Sequence, residues 1–84
     1  MITVHYFASI RESLGREQET IELPDEVNTV EKLITLLAKK NGGNWDAVLN
    51  DGPVMIAVNH EMTDRSAALA AGDEVAFFPP VTGG

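Results

Sequence analysis

Few residues of this 84-residue chain have the type and spacing for chemistry, and most of those stand in patterns that support none. His5 and His60 have no cysteine or second ligand spaced around them for a metal, and they read as surface residues. Ser9, Ser13 and Ser66 sit in no nucleophile-elbow pattern. Gly42-Gly43 runs into Asn44-Trp45, without the Lys-Ser or Lys-Thr that a phosphate-cradling loop needs. Asp73-Glu74 fits a solvated turn better than a metal site. The absence of cysteine removes a thiolate zinc site, a disulfide framework and a cysteine nucleophile, and fits a reducing compartment. One reactive group is left, the carboxylate of Gly84.

The stretch that carries this carboxylate is built as if to deliver it. Residues 75–78 form an apolar run, Pro79 and Pro80 end it, and Val81, Thr82, Gly83 and Gly84 follow. Proline cannot donate to a strand ladder and fixes φ, so the two prolines make a stiff, extended exit. At about 3.3 to 3.6 Å per residue, residues 79–84 reach roughly 20 Å. Gly83 and Gly84 have no Cβ, so a narrow channel in another protein can close on their backbone. A frayed terminus is the other reading of the same residues.

A chain of this length makes one domain, 1–78, with residues 79–84 as its tail, and buries only about 60 to 65% of its unfolded surface. Thirteen acidic residues against six basic ones give a formal net charge of −7, which repels phosphate backbones and argues against nucleic acid. The charge suits a basic protein partner and suits simple solubility equally well. With no long apolar run and no basic-then-apolar leader, the chain is expected to be cytoplasmic and not membrane-associated.

The elements that must hold the tail follow from periodicity. Residues 1–7 alternate as a strand with Ile2, Val4 and Tyr6 inward, and Ser9-Ile10-Arg11-Glu12 fits a capping box opening a short helix that stops at Gly15. Residues 17–23 form a charged, edge-type strand with Ile21 and Leu23 inward. From Asn28 or Thr29 a helix carries the stripe Val30, Leu33, Ile34, Leu37 and Ala38; Lys39 and Lys40 suit its negative end, and Gly42 supplies a left-handed stop. Trp45, Val48 and Leu49 predict a short helical turn over the core. Residues 54–58 read as a well-buried strand, with a small strand including Met62 after the turn at 59–61. Residues 67–71 are open between a helical turn and a compact loop. The last strand places Val75 and Phe77 on one face, Ala76 and Phe78 on the other. This order makes an α+β domain, one main helix packed on a mixed sheet.

An opening strand followed by Phe7-Ala8-Ser9-Ile10-Arg11-Glu12, the helix start Thr29-Val30-Glu31, the strand end Ala57-Val58-Asn59 and the whole stretch 72–84 resemble the molybdopterin synthase small subunits, a branch of the ubiquitin-like β-grasp sulfur carriers. The resemblance spans the chain. It implies a β-grasp fold with short extra helices and a protruding tail. It also implies a cycle in which an ATP-dependent, ubiquitin-activating-like enzyme adenylates Gly84 and sulfur displaces AMP to leave a thiocarboxylate. Activation is needed because a carboxylate ionised at neutral pH is a poor electrophile. The large synthase subunit then receives the tail, residues Pro79, Pro80, Val81, Thr82 and Gly83, and the sulfur passes to a cyclic pyranopterin, two charged carriers per product. The implied assembly is a heterotetramer of two small and two large subunits; the small subunit is not catalytic alone and binds no cofactor or metal.

For docking, Phe7, Met62 and Phe78 are expected to form an apolar patch for the large subunit with Arg11 on its rim; the alternative is that they fill a minor second core under the short helix. Two other functions share the activated carboxylate: sulfur carriage for thiamine or tRNA thiolation, and a ubiquitin-like modifier that forms an isopeptide bond to lysine.

Overall fold

The computed structural model describes residues 1–51 and 53–80. Strand β1 (Ile2–Tyr6) is followed by α1 (Ala8–Leu14), β2 (Gln18–Ile21), α2 (Val30–Asn41), a π-helical turn (Ala47–Asp51), β3 (Met55–Val58), β4 (Glu61–Thr63) and β5 (Glu74–Phe78). The five strands make one sheet in the order β2-β1-β5-β3-β4, with β1 and β5 parallel and the other neighbours antiparallel. This is the mixed β-grasp sheet, crossed on one face by α2. β2 lies on an edge, where its charged residues suggested it would.

Alternation in the strands and a 3.6-residue period in α2 meet in a single core. Ile2, Val4 and Tyr6 of β1, Ile56 of β3, and Val75 and Phe77 of β5 are buried against Val30, Leu33, Ile34 and Leu37 of α2. Thr29 caps α2, its Oγ1 accepting from the backbone N–H of Lys32 at 3.2 Å. Gly42 ends the helix at φ 65°, ψ −149°, so the stop uses a positive φ without the left-handed helical conformation expected.

Two further readings are corrected. Ser9 does not cap α1: the helix begins at Ala8, and the carbonyl of Phe7 accepts from the N–H groups of Ile10 (3.1 Å) and Arg11 (3.2 Å). The backbone therefore closes the first turn two residues earlier, and Ser9 lies inside the helix. The strand expected to be well buried over 54–58 is buried only at Ile56 and Ala57, while Met55 is 37% exposed. An apolar run alone does not reveal that helices cover just one side of the sheet. Residues 67–71 settle as a loop, with Ala68 bridged to Thr29 and Leu69 buried in the core.

A polar cluster seals the β2 side of the core. The Tyr6 hydroxyl donates to Glu19 Oε2 at 2.7 Å, and Arg16 Nη1 donates to the same oxygen at 3.1 Å and to Asn41 Oδ1 at 3.2 Å. The Arg16 guanidinium also lies 5.3 Å from the centre of the Trp45 ring, which packs edge-on against Tyr6. Burial, reinforced by the bond to Glu19, pushes the Tyr6 phenol well above its ordinary range.

Candidate functional site

The end of β5 is held firmly because it is the middle strand. Its residues pair with β1 on one side and β3 on the other, with Tyr6 opposite Phe77 and Met55 opposite Phe78. The N–H of Phe7 also donates to the carbonyl of Phe77 at 3.1 Å, which carries the β1 pairing to the start of α1. Pro79 and Pro80 carry no strand pairing, as expected of residues with no N–H. Pro79 borders a cleft of about 260 Å³ with Ser9, Ile10 and Ser13 of α1, Val48 and Pro53. The candidate residues Val81, Thr82, Gly83 and Gly84 lie outside the described residues.

The face of the sheet turned away from α2 begins at this exit. Register puts His5, Ala76, Ala57 and Met62 in one row across β1, β5, β3 and β4, and Phe78 beside Met55 in the next. Phe7 extends β1 onto the same side, its ring stacked on that of His5 at 6.1 Å and 16°. Phe7 is 47% exposed, Met62 57% exposed and Phe78 half-buried. Phe7, Met62 and Phe78 thus share the outer face, and none of them belongs to the buried core. Met55 joins them. Sequence reading misses it for want of the register that sets it beside Phe78. Arg11 is exposed and pairs with Glu17 across 3.9 Å, a contact that holds it toward the start of β2.

The histidines are not isolated. His5 Nε2 and His60 Nε2 lie 3.5 Å from the two carboxylate oxygens of Glu74, one each. His60 sits in the two-residue turn Asn59–His60 between β3 and β4, where both residues have positive φ (51° and 70°), the geometry of a type I′ hairpin. Asn59 ties that turn to the start of β5: its Nδ2 donates to Asp73 Oδ1 and its Oδ1 accepts from the Glu74 N–H, each at 3.0 Å. Asp73 Oδ2 accepts from the Ala70 N–H at 2.9 Å, so Asp73 is a turn-forming residue, as its sequence context suggested. Among the described residues no group of three His, Cys, Asp or Glu is arranged to hold a metal ion, and no helix is long and apolar enough to cross a membrane.

A sequence profile of the ThiS family matches residues 4–84. A molybdopterin synthase sulfur carrier subunit from Escherichia coli (strain K12) is 42% identical over 84 residues, with 100% of each chain covered. The protein of the same name from Haemophilus influenzae is 40% identical over 84 residues, again with 100% of each chain covered. Among solved structures, a putative molybdopterin converting factor subunit 1 from Pyrococcus furiosus has a TM-score of 0.74 at 32% identity, covering 95% of this chain and 97% of that one.

Proposed function

The chain belongs to the ThiS family, and from that premise we propose that it is the sulfur carrier subunit of a molybdopterin synthase. One observation carries the reading: alignment over 84 residues, at 40% and 42% identity, with two relatives of that name. The architecture supports it, since the middle strand of the sheet runs directly into the two prolines that precede Val81, Thr82 and the glycine pair in the sequence.

In the proposed cycle, a carboxylate oxygen of Gly84 attacks the α-phosphorus of ATP on a ubiquitin-activating-like enzyme and pyrophosphate leaves. A reduced sulfur species then attacks the acyl carbon, and AMP leaves with the bridging oxygen. The resulting thiocarboxylate enters the large subunit through residues 79–84 and gives its sulfur to the cyclic pyranopterin precursor. Two carriers serve each product, within a heterotetramer of two small and two large subunits. The chain itself supplies the reactive terminus and a docking surface at Phe7, Met55, Met62 and Phe78; acid, base and nucleotide chemistry belong to its partners.

Reconstitution tests the proposal. Thiocarboxylated protein, the large subunit and the pyranopterin precursor should yield molybdopterin. Deleting Gly84, or appending one residue after it, should abolish sulfur transfer and leave thermal unfolding unchanged. Retained transfer in either variant would exclude the terminal carboxylate as carrier. Absence of product, together with lysine conjugates in cell extract, would favour the modifier reading.

A further inference from the structure

Glu74 has a setting that neither the core nor the tail requires. It opens β5, opposite Thr3 of β1, while the N–H of Asn59 donates to its carbonyl at 2.8 Å; these contacts bring His5 from one side and His60 from the other. The three side chains wall a groove of about 240 Å³ on the outer sheet face, with Phe7, Ala57, Val75 and Ala76 completing it.

At 3.5 Å, both imidazoles stand beyond the roughly 2.7 to 2.9 Å of a formed charge-assisted hydrogen bond. An ionised carboxylate has about four acceptor positions, so Glu74 keeps capacity to accept. Among the described residues the ion pairs of arginine and lysine go elsewhere: Arg11 to Glu17, Arg16 and Lys40 to Glu19, Arg65 to Glu31. The stacked rings of His5 and Phe7 offer a flat aromatic wall beside this carboxylate, and Ala57 and Ala76 offer a narrow apolar floor. A carboxylate fork, a flat π surface and an apolar strip complement one side chain closely. Guanidinium meets a carboxylate through two parallel N–H bonds, stacks by its plane on aromatic rings, and carries a methylene stem that covers apolar surface. Lysine, a point charge without a plane, leaves the wall unused. The chain's net charge of −7 attracts such a group from a distance.

We propose that this groove receives an arginine side chain of the protein that docks on the outer sheet face, with Glu74 as its carboxylate partner and His5 and Phe7 as its stacking wall. The inference rests on the sulfur-carrier reading and specifies the partner's chemistry: a surface that presents an arginine beside apolar residues facing Met55, Met62 and Phe78. His60, at the hairpin tip, flanks the carboxylate on the opposite side from His5.

Calorimetric titration of the full-length protein with its cognate large subunit and its cognate adenylating enzyme, at low and high salt, tests the groove. For the partner that supplies the arginine, Glu74→Gln should weaken binding about tenfold at low salt and less at high salt, and Glu74→Arg should weaken it further. Thermal melts of both variants should match the parent, because the Glu74 side chain holds no contact within the core. Glu74→Gln binding both partners within about twofold of the parent would overturn the groove and leave the carrier reading standing. A loss equal at both salt concentrations would overturn it too, since a defect of shape is not screened. Failure of the unaltered protein to bind either partner would remove the carrier reading itself and the groove with it.

Discussion

Along β1 and β5, the residues that point toward α2 and those that point away belong to different environments. Val4, Tyr6, Val75 and Phe77 are fully buried, whereas His5, Ala76 and Phe78 are partly open and stand among the exposed side chains of Phe7, Met55 and Met62. Both sets lie on the same two strands, because successive side chains of a strand project to opposite faces. One face is closed by a helix and stores the stability of the domain. The other keeps apolar surface in water, the feature on which the proposed docking surface rests. Neighbouring positions such as 77 and 78 therefore answer to different demands, and substitutions there should separate folding from recognition.

The largest effect is expected at Phe77→Ala. Removing a fully buried phenylalanine costs about 3 to 5 kcal/mol. That is a large share of the roughly 5 to 15 kcal/mol that holds a domain folded, so urea unfolding should show a severe loss of stability. A cost below about 1 kcal/mol would break the contrast between the faces. Phe78→Asp should do the reverse: unfolding within about 1 kcal/mol of the parent, but affinity for the large subunit lower by about 2 kcal/mol or more. Unchanged affinity in a folded variant would end the outer face's claim to be a docking surface.

Tyr6→Phe should have the smallest effect, about 1 kcal/mol at neutral pH, from loss of the hydrogen bond to Glu19. It also sharpens the comparison through pH. The folded state holds the phenol un-ionised well above its ordinary range, while the unfolded chain ionises near pH 10. Tyr6 thus contributes stability that is fully present below about pH 10 and declines as pH rises beyond it. Melting temperatures followed from neutral to alkaline pH should fall less steeply for Tyr6→Phe than for the parent. An identical alkaline slope would show that the phenol does not set it.

Much of the buried side is legible in residue order alone. The stripe of α2, the inward set Ile2, Val4 and Tyr6, the pair Val75 and Phe77 and the edge position of β2 all follow from local spacing and residue type, and the cap of α2 follows to within the choice of Asn28 or Thr29, which the fold resolves to Thr29. Ser9 misleads because a capping box describes side chains that can bond, not whether the backbone has already closed the turn. Met55 misleads because a short apolar run fits burial on one face or on both. Leu69 lies in a loop without periodicity, and only packing places it in the core. On the outer face, Phe7, Met62 and Phe78 are individually legible as outward residues, while the side chain of Arg11, expected on their rim, pairs with Glu17.

By itself, the sequence determined which side of β1, β2 and β5 is apolar, where the main helix starts to within one residue and where it stops, and that two prolines are followed by Val81, Thr82 and a glycine pair. These are local properties, set by side-chain alternation, the 3.6-residue period and the geometry of proline and glycine. Tertiary structure alone decided that β1 and β5 pair in parallel, that Glu74 stands between His5 and His60, and that Tyr6, Arg16, Glu19 and Trp45 close one end of the core. Residues so distant in sequence meet only when strand register is set, and register depends on burying the whole apolar face at once.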